Sequence, residues 1–174
     1  MSCEVPIVLA ISPRSTRLGV AVFQDEYLLY YGLVGLWSKQ IDPRTNVESK
    51  IRRLIDTHES NFLVLEKLVY PQQRTESLTH LYECLFQTAT AARILVEHYD
   101  PRIVRRQLQG NGRPNKQTTA LYLAAHYPEL KTYTAAQNNR QRIYWDPVLN
   151  AIALGLYAIR RYAEKTPRSK FHYY

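Results

Sequence analysis

The chain has 174 residues, 45% of them apolar and 22% charged, with a formal net charge of +8. That length suits one domain able to bury roughly 70% of its unfolded surface, and the ordinary composition excludes wholesale disorder. No apolar run reaches the ~18 residues that span a bilayer, so no membrane is expected as a partner, and the excess of base over acid favours an anionic one.

Residues 7–11 are continuously apolar and predict a buried strand, which the turn-forming cluster Ser12-Pro13-Arg14-Ser15 ends. Over 18–23, Val20 and Val22 alternate with Gly19 and Ala21, a second strand, and Gln24-Asp25-Glu26 turns into a third over 27–37. Three runs linked in this way predict an antiparallel meander. Val47, Ile51, Leu54 and Ile55 lie at helical spacing within 46–57, and 62–65 is a short apolar strand ending on Glu66. Leu78, Leu81, Tyr82, Leu85, Phe86, Ala89 and Ala92 recur at steps of three and four, which predicts a helix over 76–99. Ile103-Val104 then reads as a strand, and the glycines and proline within 109–115 demand a loop. A helix over 116–127 stops at Pro128, and the polar stretch 131–145 reads as irregular. Pro147 suits the first turn of a last helix carrying Val148, Ala151, Ile152, Leu156 and Ile159. Residues 1–166 form one predicted domain, followed by a basic and aromatic tail over 167–174.

This order predicts an α/β sheet with three hairpin-linked strands, joined by later strands through helical crossovers. Ligands of such sheets bind beyond the carboxyl ends of strands, where the strand order switches. Ser12 and Glu66 are therefore expected in one cleft. Glu66 is there either as a site carboxylate or as a strand-end charge turned to solvent. Asp146 is either a helix N-cap or a site residue, and Asn150, four residues on, shares its helical face.

The charge is uneven. Residues 101–174 hold 13 Lys or Arg and 3 Asp or Glu, whereas residues 1–100 hold 10 and 12. Such asymmetry points to a nucleic-acid-facing second half; a basic surface kept for solubility is the alternative. The 14 tyrosines suit stacking on unpaired bases, although Tyr82 and Tyr157 fall on helix faces and read as structural. Cys3 and Cys84 make neither a disulfide framework nor a zinc pattern and fit a reduced, cytoplasmic setting. The opening residues carry no basic, cleavable leader pattern.

Four segments, in chain order, resemble one family. IVLAISPRSTRLGVAVF resembles the first hairpin of the RuvC-type Holliday junction resolvases, whose fold is that of ribonuclease H. LVLEKLVY resembles their second acidic motif, VRRQLQGNGRPNKQTTALYLAAHYPEL their basic loop and following helix, and WDPVLNAIALGLYAIRR their last acidic helix. The GNGRPNK stretch is the most specific of these. The resemblance implies a ribonuclease H-like mixed sheet, three antiparallel strands then parallel ones, flanked by helices. It also implies a homodimer acting on four-way DNA junctions, with the helix over 76–99 as interface. Such enzymes hold two divalent cations, magnesium or manganese, on four acidic side chains.

By the same resemblance Glu66 matches the second acid, and Lys116 the basic residue that holds a phosphate. Ser12 stands where the first strand should carry Asp. Asn150 stands where the last helix should carry its second ligand, and Asp146 lies four residues before it where the family spacing is three. The expected metal ligands reduce to Glu66 and Asp146, with Ser12, Asn150 and Lys116 completing the catalytic positions and magnesium or manganese weakly bound or absent. Arg14, Arg17, Arg105, Arg106, Arg113 and Lys116 are expected to clamp phosphates. Tyr70, next to Val69 where the family places a stacking aromatic, is expected to meet bases, with Tyr144 as a second candidate. The function expected is recognition of branched or structured nucleic acid with cleavage weakened or lost. The alternative is an active metal-dependent, structure-selective endonuclease with an unusual ligand set.

Overall fold

The computed structural model describes residues 5–36, 39–40, 42–69, 75–110, 112–135 and 139–165. The apolar runs make the sheet. β1 (Ile7–Pro13) and β2 (Arg17–Gln24) are buried along almost their whole length, and β3 (Tyr27–Gly35) is only half-buried at the rim. β4 (Phe62–Glu66) and β5 (Leu95–Tyr99) complete five strands in the order β3-β2-β1-β4-β5. The first three are antiparallel neighbours, and β4 and β5 join parallel. This is the mixed sheet expected from the sequence.

Strand parity sorts the core into two layers. Leu9, Ile11, Val20, Val22, Leu63 and Leu65 face one way, onto α1 (Pro43–His58) and α2 (Glu76–Ala91). Val8, Ala10, Ala21, Phe23 and Val64 face the other, onto α3 (Pro101–Gln109), α4 (Lys116–His126) and the long α6 (Asn139–Lys165). Between α4 and α6 lie a 3₁₀ turn, Pro128–Leu130, and the short α5 (Lys131–Thr134). Ser12 and Glu66 continue the parity of Ala10 and Val64, so both look toward α6 at the carboxyl ends of their strands.

Four expectations change. The helix predicted over 76–99 ends at Ala91, because Arg93 takes a left-handed φ of 59° and the chain re-enters as β5. From Ile94 on, the period of two wins: Ile94 and Val96 pack on the α1–α2 layer, and Leu63 pairs with Val96. Ile103 and Val104 lie in a helix, since Asp100 caps α3 by accepting from the Arg102 amide at 2.8 Å and Pro101 fills its first turn. β1 continues through Ser12, which pairs with Gly19. The last helix starts at Asn139, so Pro147 lies inside it, and Asp146 is not its N-cap. Among the described residues no helix is long and apolar enough to cross a membrane. The tail over 167–174 lies outside the described residues.

Candidate functional site

The site grows from the ends of two adjacent strands. Ile11 pairs with Leu65, so Ser12 and Glu66 follow as neighbours one step further along. Both are buried, Glu66 to 3% exposure, and the Ser12 hydroxyl donates to Glu66 Oε2. From the turn after β1, Arg14 folds back. Its Nη1 lies 3.3 Å from the same Oε2, and it also donates to Ser12 Oγ at 3.1 Å and to the Pro13 carbonyl at 2.7 Å. From α6, the Asn150 amide reaches Oε2 at 3.5 Å. A hydroxyl, a guanidinium and an amide thus converge on one carboxylate oxygen. Behind them, the Tyr82 hydroxyl on α2 donates to the backbone carbonyl of Glu66. Burial, then the charge of Glu66, pushes that phenol well above its ordinary range.

A second pair sits one helical turn away. Gly110 and Gly112 adopt φ of 69° and 131°, which only glycine adopts cheaply, and the loop they make ends at Asn115. Asn115 and Thr118 form a reciprocal capping box, so Lys116 is the first residue of α4. Lys116 Nζ meets Asp146 Oδ2 at 2.6 Å. Asp146 precedes Asn150 by one turn of α6, so the two share a face.

What seats α6 over the strand ends is a close backbone approach. A Cβ on Gly19 would lie 2.0 Å from the Pro147 carbonyl oxygen, so hydrogen alone fits there. Pro147 has no N–H, which leaves the Ile143 carbonyl without its helical donor. Arg17 Nη2 supplies one at 3.2 Å. The same guanidinium lies 5.0 Å from the ring centre of Tyr144.

No family model matches this sequence, and no curated protein matches it. Solved structures do. A Thermus thermophilus RuvC structure aligns with TM-score 0.70 at 20% identity, covering 91% of this chain and 96% of that one. T. thermophilus RuvC in complex with a Holliday junction substrate aligns with TM-score 0.67 at 18% identity, covering 90% and 95%. The Fowlpox virus resolvase bound to Holliday junction DNA aligns with TM-score 0.57 at 13% identity, covering 90% and 98%.

The fold is RuvC-like.

In this RuvC-like frame, Ser12, Glu66 and Asn150 form one buried cluster with the part-exposed Arg14 at its edge, and Lys116 with Asp146 forms a pair beside it. Among the described residues no three His, Cys, Asp or Glu side chains group as a metal set. Arg17 is engaged with α6. Arg113 is exposed in the loop before Lys116, Arg105 is half-buried on α3, and Arg106 is exposed there. Tyr70 lies outside the described residues. Two contributors escaped the sequence. Tyr82 appeared only as a helix-face aromatic, and Tyr133 carried no motif, whereas Tyr144 was expected and Trp145 opens the last of the resembling segments. Tyr133 stands 4.4 Å from Trp145, and Tyr144 5.0 Å from it. With Lys116, Arg142 and Asp146, Tyr133 and Trp145 line a cleft between α4 and α6.

Proposed function

We infer that this chain is a RuvC-like nucleic-acid-binding protein that recognises branched DNA through its basic rim, with metal-dependent phosphodiester cleavage weakened or lost. The observation that carries it is the set of donors on Glu66. Hard divalent cations need several carboxylate oxygens, and paired cations need more. Glu66 instead meets a neutral hydroxyl, an amide and a guanidinium that already supplies positive charge. As arranged, these residues do not fit a two-cation centre. If magnesium or manganese binds at all, Glu66 and Asp146 hold it weakly, and Asp146 must first give up Lys116.

Binding fares better in the same terms. Arg113, Lys116, Arg140 and Arg142 are exposed on the loop, α4 and α6, beside one acid that Lys116 already neutralises. Two of the structurally similar proteins are junction complexes by their descriptions, and this chain is assigned the same class of partner. A four-way junction has two-fold symmetry, so a homodimer is part of the proposal. About five phosphate contacts would lower affinity ~10²- to 10³-fold between about 50 and 200 mM salt.

The test is a gel shift of a four-way junction against a linear duplex of equal length, over that salt range without metal, followed by magnesium and manganese cleavage assays. Salt-steep, junction-preferring binding with no cutting is expected. Metal-dependent cutting abolished by Glu66→Gln would establish an active endonuclease instead. Failure to shift the junction at low salt would remove the nucleic-acid reading altogether.

A further inference from the structure

We propose that the cleft between α4 and the first turns of α6 is a stacking site for unpaired nucleotides. One base lies against Trp145, its neighbour lies on Tyr144, and Lys116 and Arg142 hold the phosphates. This rests on the nucleic-acid reading above and adds the strand state it recognises and the residues that select it.

The rings form a continuous series from the sheet to the surface. Tyr31 on β3 meets Tyr133 edge-on at 5.8 Å, Tyr133 meets Trp145 at 4.4 Å, and Trp145 meets Tyr144 at 5.0 Å with planes at 88°. Edge-to-face contacts of this kind are a favoured arrangement of aromatic pairs, so each ring supports the orientation of the next. Tyr144 is 47% exposed although Arg17 covers it from one side. Tyr144 open to solvent, with the half-buried Trp145 behind it and cations beside them, offers what unpaired bases need, since every base has a π-face once it leaves the duplex stack. A paired base offers only its edges and cannot enter.

Charge points the same way. Arg140 and Arg142 are exposed on the turn that carries Tyr144. Lys116 is half-exposed and tied to Asp146. An ammonium has three donors, so Lys116 can keep Asp146 and still bind a phosphate. The exposed Ile143 and Tyr144 extend the apolar surface toward the next base.

The experiment uses Trp145 as its own reporter. The chain has 2 tryptophans, so Trp37→Phe leaves Trp145 alone. The full chain is titrated with an oligothymidylate of about ten nucleotides and with a blunt duplex of equal length, at about 50 mM salt. The single strand should quench Trp145, and the duplex should not. Tyr144→Leu keeps apolar volume without a π-face and should weaken single-strand binding about tenfold, while Tyr144→Phe keeps it. A labelled-strand gel shift on the unsubstituted tryptophans repeats the comparison should Trp37→Phe misfold. Junction binding without single-strand quenching, or quenching insensitive to Tyr144→Leu, overturns the stacking site and leaves the junction reading standing. Binding of neither removes both.

Discussion

Arg17 donates at 3.2 Å to the Ile143 carbonyl, the one that Pro147 leaves without a donor inside α6. One side chain from the start of β2 thus repairs a helix defect made by a proline and ties that helix to the hairpin carrying Ser12. Removing Arg17 hands this exposed carbonyl to water and should cost about 0.5–1.5 kcal/mol. Pro147→Ala restores an amide that can donate to Ile143, so the loss should shrink in that background. A double-mutant cycle of Arg17→Met and Pro147→Ala, read by urea denaturation, should show coupling of about 1 kcal/mol. Additive effects would mean that the two residues act independently.

The approach of α6 to β2 predicts a second effect. A methyl on Gly19 would meet backbone, not a movable side chain, at 2.0 Å from the Pro147 oxygen and 2.5 Å from the Val148 nitrogen. Backbone cannot yield there without lifting α6. Gly19→Ala should therefore destabilise the fold by about 3 kcal/mol or more, seen as a lower urea midpoint. Gly35→Ala, where a methyl meets open space, is the control and should change little.

These two contacts also mark where sequence reading succeeds and stops. Continuous apolar runs gave β1 and β4, alternation over 18–23 gave β2, and the strand-end rule placed Ser12 and Glu66 in one cleft. The long helical period through Ala92 hid the switch to β5, although Ile94 and Val96 already alternated. Asp100-Pro101 is a cap signal that the short apolar pair Ile103-Val104 outweighed. Pro147 read as a helix start because its repair comes from Arg17, 126 residues away from Ile143. No local pattern encodes such a partner. The return of Arg14 onto Glu66 and the reach of Tyr82 to its carbonyl are equally non-local.

Stability should depend on pH through Glu26. Its carboxylate takes Arg160 Nε at 2.9 Å and Nη2 at 3.2 Å, joining the β2–β3 turn to the end of α6. The hydrogen bond from Arg160 holds the Glu26 carboxyl below its usual range, against a smaller opposing effect of burial. A carboxyl with a lowered folded-state pKa contributes stability that is present above its unfolded value. That contribution fades as pH falls through the ordinary carboxylate range toward the lowered folded value. Glu26 is half-exposed, so solvent screening limits the effect to below about 1 kcal/mol. Urea midpoints for Glu26→Gln should match the natural chain near pH 3, fall below it near pH 7, and show a flatter slope between.

The strongest test of the Glu66 cluster is to rebuild it. Arg14, Ser12 and Asn150 each offer a donor to one carboxylate oxygen, so converting donors to acceptors should convert the site. Arg14→Ala alone leaves a buried carboxylate short of its cation. It should destabilise by about 1–3 kcal/mol, below the 3–5 typical of fully buried pairs because Arg14 is 30% exposed. Adding Ser12→Asp and Asn150→Asp places three carboxylates together and raises that cost in metal-free buffer through mutual repulsion. Manganese should then relieve it. Calorimetric titration of the triple variant should show manganese binding well above that of the natural chain, together with a rise in melting temperature that scales with metal concentration. If the natural chain binds manganese as tightly as the triple variant does, Arg14 does not stand in for a cation, and cleavage chemistry must be sought with the natural ligand set.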